Sequence, residues 1–142
     1  MPIERSNVPG LAQPPGYTHL ATVREAQLVF IAGQVPLNER GELVGPGDAI
    51  AQARQCLRNL VACLAAAGAT PADVVRTTVY VAAEDQAVLG RVWQALVDSE
   101  PSAVVRTPAT LLGVRHLGYA GQLVEIECTA ALPLDPLGQQ PG

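Results

Sequence analysis

Lysine is absent from this 142-residue chain, aromatic residues make up 4% of it and charged residues 15%. Each shortage excludes something. The nine basic residues are all Arg, dispersed along the chain and outnumbered by 13 Asp and Glu, for a net charge of −4. No basic stripe exists to neutralise a phosphate backbone, so nucleic acid is not the expected partner. No run reaches the ~18 uninterrupted apolar residues of a membrane span. Glu4 and Arg5 interrupt the start before any apolar stretch of signal-peptide length, and the expected setting is the cytoplasm, with no membrane partner. Cys56, Cys63 and Cys128 form no Cys-x-x-Cys, and His19 and His116 stand at no metal-ligand spacing. The expectation is no metal and no cofactor. Gly-x-Gly-x-x-Gly and the Walker loop are missing, and none of Ser6, Ser99 and Ser102 lies in a Gly-x-Ser-x-Gly. The chain therefore lacks both the usual phosphate cradle and a serine-hydrolase elbow.

What is present is apolar material: 49% hydrophobic residues, enough for the core of one domain. The reading is a single domain over 1–142, with its core at 16–131, an N-terminal arm at 1–15 and a frayed tail at 133–142. Pro9, Pro14 and Pro15 keep residues 6–16 irregular. Segments 18–23 and 27–32 read as an antiparallel hairpin. A helix is expected over 48–67, capped by Asp48, with Ile50, Ala53, Leu57, Leu60 and Leu64 on one stripe and Gly68 ending it. Segment 74–81 is a strand, in which Val75, Thr77, Val79 and Val81 face one way and Val74, Arg76, Thr78 and Tyr80 the other. A second amphipathic helix over 85–98 carries Val88, Leu89, Val92, Trp93 and Leu96. Strands at 109–117 and 123–132 follow, joined by the turn at 118–121. The order β-β-α-β-α-β-β predicts an α+β sandwich of two helices on one sheet. Such a sheet keeps a face or an edge that needs covering, so an oligomer is expected.

Few residues point to chemistry. Alternation along the last strand puts Glu125, Glu127 and Thr129 on the face opposite Val124, Ile126 and Cys128. The ordinary outcome is a solvated face; the alternative is a carboxylate held in a cleft to orient water or accept a proton. Tyr17, after Pro14-Pro15-Gly16, either packs the arm down or covers a pocket and donates to a ligand. Gly33-Gln34 after an apolar strand reads as a bulge, and Gly113 inside a strand as a close approach. Arg106 and Arg115 flank that strand and are the nearest cations for an anionic substrate.

Four stretches then occur in a telling order: Ile31-Ala32-Gly33-Gln34-Val35-Pro36, the helical Ala51-Gln52-Ala53-Arg54-Gln55-Cys56-Leu57-Arg58-Asn59, Val74-Val75-Arg76-Thr77-Thr78-Val79-Tyr80-Val81, and Val124-Glu125-Ile126-Glu127. Together they resemble the RidA-like family, also called YjgF or RutC-like and historically labelled L-PSP endoribonucleases. The resemblance implies a chorismate-mutase-like α+β fold and a homotrimer whose sheets form a central barrel with clefts at the subunit boundaries. It also implies cofactor-free hydrolysis of reactive enamines and imines, such as 2-aminoacrylate, to keto acids and ammonia.

Carried over residue by residue, the resemblance makes Tyr17 the arm tyrosine that closes the site and Glu125 the glutamate that positions water. The arginine that clamps the substrate carboxylate falls on Thr110, counting back without a gap from Val124-Glu125-Ile126-Glu127. The cysteine two residues further falls on Leu112, the serine before Gly-Gln on Ala32, and a helix asparagine on Gly90. The implied cleft is lined by Tyr17, Ala32, Gly33, Thr110, Leu112, Gly113 and Glu125, with backbone N–H groups near Leu112 and Gly113 holding an oxygen. Arg106 or Arg115 replaces the missing cation only if its side chain reaches that cleft. The expected activity is deamination of an imine, enamine or related C–N compound, weak on 2-aminoacrylate-type substrates. The alternatives are a small-ligand-binding or sensing module and, last, a ribonuclease or translation inhibitor, which the acidic balance disfavours.

Overall fold

The computed structural model of the chain describes residues 2–134. In chain order it runs β1 (Ile3–Ser6), β2 (Leu20–Val23), β3 (Ala26–Gln34), α1 (Ala49–Ala66), β4 (Val74–Ala82), α2 (Gln86–Val97), β5 (Ala109–Val114) and β6 (Val124–Pro133), with 3-10 turns at Pro71–Asp73 and Ser102–Val104. Asp48 caps α1 by accepting the Ala51 N–H at 3.0 Å, and Asp85 caps α2 by accepting the Ala87 N–H at 2.9 Å. Gly68 follows α1 at φ +78°, the left-handed conformation a helix end favours.

The main sheet has the strand order β3-β6-β4-β5. β6 is antiparallel to both of its neighbours, and β4 pairs with β5 in parallel. α1 connects β3 to β4, α2 connects β4 to β5, and the two helices pack on each other over one face of the sheet. The last strand thus enters between two earlier ones.

Three expectations need correction. The hairpin of 18–23 with 27–32 does not form: β2 pairs with β1, and β3 pairs with β6. The chain turns between ladders at Glu25, which has φ +44°, while the Arg24 N–H bonds to the Pro2 carbonyl. The chain ahead of the irregular segment forms the strand β1, anchored by the Arg5 guanidinium on the Thr107 hydroxyl and the carbonyls of Ala72 and Val74. In β4 a bulge between Val74 and Arg76 breaks the alternation, so Val74 is buried and Val75 half-buried. β5 ends at Val114 rather than 117. Of the expected tail, 135–142 lies outside the described residues.

The core sits between helices and sheet. Leu57, Leu60 and Leu64 of α1 and Val92 and Leu96 of α2 are buried against Val79, Val81, Val124, Ile126 and Ala130, each side chain contributing roughly 1.5–3 kcal/mol by burial. One buried polar group fixes the start of β6. The Gln52 amide donates to the carbonyls of Gly45 and Gly121 at 3.1 Å each and accepts the Leu123 N–H at 2.7 Å. That ties the turn before β6 to α1 with the amide's needs met. The opposite face of the sheet has no helix on it among the described residues and exposes Leu28, Phe30 and Leu112.

Candidate functional site

Strand register arranges the polar side chains of the open face in rows. Tyr80 on β4 lies opposite Glu125 on β6 and Leu112 on β5; Thr78 lies opposite Glu127 and Thr110; Arg76 lies opposite Thr129. The solvated-face reading and the held-carboxylate reading of Glu125 and Glu127 can now be compared by their contacts.

Glu125 is held. The buried Gln122 side chain donates to its Oε1 at 3.1 Å and to the Val124 carbonyl at 3.0 Å, and is itself fixed by the Tyr119 N–H at 3.1 Å. On the other side lies the bulge of β3, where pairing with β6 slips between Ile31 and Gln34. A Cβ on Gly33 would stand 2.8 Å from the Glu125 Cδ and overlap the carboxylate, so a larger residue there would have to push the Glu125 side chain off its present seat. Gly33 matters here for the room it leaves the carboxylate, since its backbone is not left-handed. Ala32 is exposed beside it, its carbonyl accepting from the Gln34 amide at 3.0 Å.

Glu127 is held differently. The Tyr80 hydroxyl donates to its Oε1. That bond, with a smaller contribution from burial and the neighbouring carboxylates, pushes the tyrosine's pKa upward. Across the strand gap, the Arg76 guanidinium donates from Nη2 to the Thr110 hydroxyl at 2.7 Å. Arg76, Thr78, Glu127 and Thr129 line a small cavity of about 270 Å³, with Phe30 as an apolar wall.

The remaining expected site residues lie elsewhere in the chain. Tyr17 stacks edge-on against Trp93 of α2 and against His19, with ring centroids 6.3 Å apart in both pairs. The arm runs along α2 there, where the Trp93 indole N–H donates to the Pro15 carbonyl at 2.7 Å. Thr110 and Leu112 face the open side, whereas Gly113 faces α2, where a Cβ would come within 3.3 Å of Leu89. Gly90 is exposed on α2. Arg106 is tied to the Ser102 hydroxyl and the Val97 carbonyl, both at 3.2 Å, at the end of α2. Arg115 lines a separate cavity of about 770 Å³ with Glu84, Gln86, Leu89, Gly113 and His116, at the ends of β4 and β5. Within the single chain the structure thus brings Gly33 together with Glu125 and leaves Tyr17, Arg106 and Arg115 apart from them.

Sequence reasoning passed over Arg76, Tyr80 and Gln122. Alternation already put Arg76, Thr78 and Tyr80 on one face, but only the strand order shows that this face adjoins both Glu125 and Thr110. Among the described residues no three His, Cys, Asp or Glu side chains cluster as a metal site requires. No helix of the described residues is long and apolar enough to cross a membrane.

Two helices on a mixed four-stranded sheet, with a glutamate seated on a glycine bulge, make a fold of the YjgF, chorismate-mutase-like type. The family model described as endoribonuclease L-PSP matches residues 11–132, and the chain belongs to that family, whose members also carry the RidA, YjgF and RutC names. Among solved structures, a protein of the conserved Rid family from Yersinia pestis, YyfB, of unknown function, is 36% identical over 93% of this chain and all of that one, with a TM-score of 0.84. Among curated proteins, a RutC family protein of Haemophilus influenzae is 45% identical over 64 residues, 44% of this chain and 48% of that protein. The 2-iminobutanoate/2-iminopropanoate deaminase of Escherichia coli K12 is 46% identical over 55 residues, 38% of this chain and 41% of that protein. The matches span about half the length of these curated relatives or less.

Proposed function

We propose that this chain works as one Rid-type domain in a homotrimer, with small-ligand clefts at the subunit boundaries where an imine or enamine C–N bond is hydrolysed. The single observation that carries this reading is the seating of Glu125, which is held by Gln122, given room by Gly33 and turned to the face that no helix covers. A carboxylate fixed in that way accepts a hydrogen bond from a water and aims its lone pair at an electrophilic carbon. The water adds to the C=N carbon, its proton passes through Glu125 to the nitrogen, and the carbinolamine collapses to a carbonyl with release of ammonia. The name of the Escherichia coli relative supports the reaction class. The exposed Leu28, Phe30 and Leu112 on the open face support assembly, since apolar patches of this kind mark interfaces.

Thr110 sets the expected selectivity. A threonine makes no charge-assisted, two-pronged contact with a carboxylate, and losing such a contact costs about 10²-fold in binding. 2-Aminoacrylate-type imino acids are therefore slow substrates in this reading. The same threonine favours a second reading, a binding or sensing module without turnover.

The test generates imino acids in situ with an amino-acid oxidase and follows release of the keto acid. Wild type accelerates hydrolysis, but less than a relative that carries the arginine, and Glu125→Gln lowers the rate about 10²-fold or more at unchanged melting temperature. Full activity in Glu125→Gln overturns the assignment, and ligand binding without turnover by wild type selects the sensing module.

A further inference from the structure

We infer that the seam between α1 and α2 is a docking groove for an acidic amphipathic helix of a partner protein. The inference is independent of the hydrolytic reading and concerns the other side of the sheet. β3 and β4 are both antiparallel to β6, and β4 is parallel to β5, so each helix joins parallel strands and the two run side by side in one direction. Two cavities open along their seam. One, of about 380 Å³, lies where the helices begin and is lined by Ile50, Val88 and the exposed Arg91. The other, of about 580 Å³, lies where α2 has ended and is lined by Leu57 and Val61 of α1 and by Pro101. Arg54 and Arg58 are exposed at this larger cavity. Positions 54, 57, 58 and 61 recur at i, i+3, i+4 and i+7, so one flank of α1 offers both the charge and the apolar surface.

The seam gathers cations in an acidic chain. It carries Arg54, Arg58 and Arg91, three of the nine arginines, although the net charge is −4. Among the described residues Arg54 and Arg91 have no hydrogen-bond or ion-pair partner. Arg58 is held in place by donating from Nε and Nη2 to the Gln55 Oε1 at 3.3 and 3.0 Å, which leaves three of its five N–H groups. Asp48, at the smaller cavity, is engaged by the Ala51 N–H. Glu100 is the one acid at the larger cavity. Spacing selects the occupant. From Ile50 to Val61 the seam follows α1 for about 16 Å, three helical turns. A single small anion meets one stretch of that length. A helix laid along it presents apolar residues to both cavities, and acids on one flank at the four-residue spacing that separates Arg54 from Arg58. A base on its other flank faces Glu100. The groove lies across the sheet from Leu28, Phe30 and Leu112, so assembly through the open face leaves it accessible.

The probe is a four-turn acetylated and amidated peptide of Leu, Ala and Glu, with a Leu face and Glu flanks, whose binding to the full chain is followed by fluorescence anisotropy. The controls are the same peptide with Lys for every Glu and a shuffled peptide without an apolar face. Wild type binds the acidic amphipathic peptide at least tenfold more tightly than either control. Arg54→Gln combined with Arg58→Gln weakens that binding about fivefold or more and flattens its salt dependence. Val61→Ser weakens it about threefold, whereas Glu100→Gln, which removes the repelling acid, tightens it about twofold. Should the double arginine variant fail to fold, the opposite sign of Glu100→Gln decides. Equal affinity of wild type and the arginine variant overturns the inference, as does a wild type that binds the Lys or shuffled peptide as well as the acidic one. A changed oligomeric state of the arginine variant in sedimentation assigns the groove to a second copy and overturns it too. So does octyl sulfate bound through Arg54 and Arg58 where the peptide is not, because the groove then takes a single small amphiphile.

Discussion

The two faces of the main sheet come from the same strands and obey the same alternation, yet they have been given opposite tasks. On the helix-covered face Val79, Val81, Val124, Ile126 and Ala130 are wholly buried, and the ionisable group that β6 adds there is the Cys128 thiol. On the open face the next residues along the same strands are Arg76, Tyr80, Glu125 and Glu127, joined to one another or to neighbours by hydrogen bonds, with Phe30 left 77% exposed. A residue changed on the covered face must repack against two helices, whereas one changed on the open face meets no helix among the described residues. Stability is concentrated on one side, and the other side is free to vary its chemistry. A threonine can therefore stand where the resemblance puts an arginine without cost to the fold.

The largest effect that can break this contrast comes from truncating one residue on each face. Ile126→Ala opens a cavity under α1 and α2 and is expected to cost about 2–5 kcal/mol in denaturant unfolding, a large part of a typical domain stability of ~5–15 kcal/mol. Phe30→Ala removes a larger side chain but is expected to change protomer stability by no more than about 0.5 kcal/mol, while weakening self-association in sedimentation. Equal losses from the two would mean that the faces are not distinct.

The fold was largely legible because its signals are local. Asp48 and Gly68 bracket α1, the apolar stripe of α2 repeats at helical spacing, and the glutamates of β6 alternate with buried residues. The errors came from pairing, which is not local. Segments 18–23 and 27–32 look like a hairpin until β1 claims the first and β6 the second. The Val74 slip likewise depends on a bulge against β6 that no count of alternate residues contains. For the site, the Gly33 bulge was visible in the sequence, but the overlap of a Gly33 Cβ with Glu125 was not, because β3 and β6 are almost a hundred residues apart and meet only through the sheet. Arg76 was hidden for the same reason: it belongs to a strand motif, and its relation to Thr110 exists only once β4 and β5 are set side by side.

An intermediate effect sharpens the contrast through pH. Burial pushes the Cys56 and Cys128 thiols up to about 12, from an ordinary 9.0, with nearby Glu125 adding to the first and Cys63 to the second. The folded chain therefore holds both protons in a range where the unfolded chain releases them. The stabilisation is complete below about pH 9 and declines as pH rises towards about 12. Unfolding free energy is expected to fall across that window, and a double Cys56→Ala, Cys128→Ala variant should flatten the slope. In the native state at pH 8, iodoacetamide should modify the half-buried Cys63 well before the other two, whose modification should track global unfolding. Fast labelling of Cys128 would show that the covered face is not closed.

The smallest effect separates two arginines near β5. Arg106 is exposed at the end of α2, where its guanidinium donates to the Val97 carbonyl and the Ser102 hydroxyl at 3.2 Å. A cation at a helix C-terminus satisfies carbonyls that lack an intrahelical partner and opposes the negative end of the dipole, worth about 0.3–1 kcal/mol at an exposed site. Arg106→Ala should therefore lower the melting temperature by a few degrees at most, and by less at high salt. Arg76→Gln should lower the melting temperature less, since its guanidinium bonds to a threonine on the open face and to no helix end. If Arg76→Gln lowered the melting temperature more than Arg106→Ala, the open face would be contributing stability of its own, and the division of labour between the two faces would have to be redrawn.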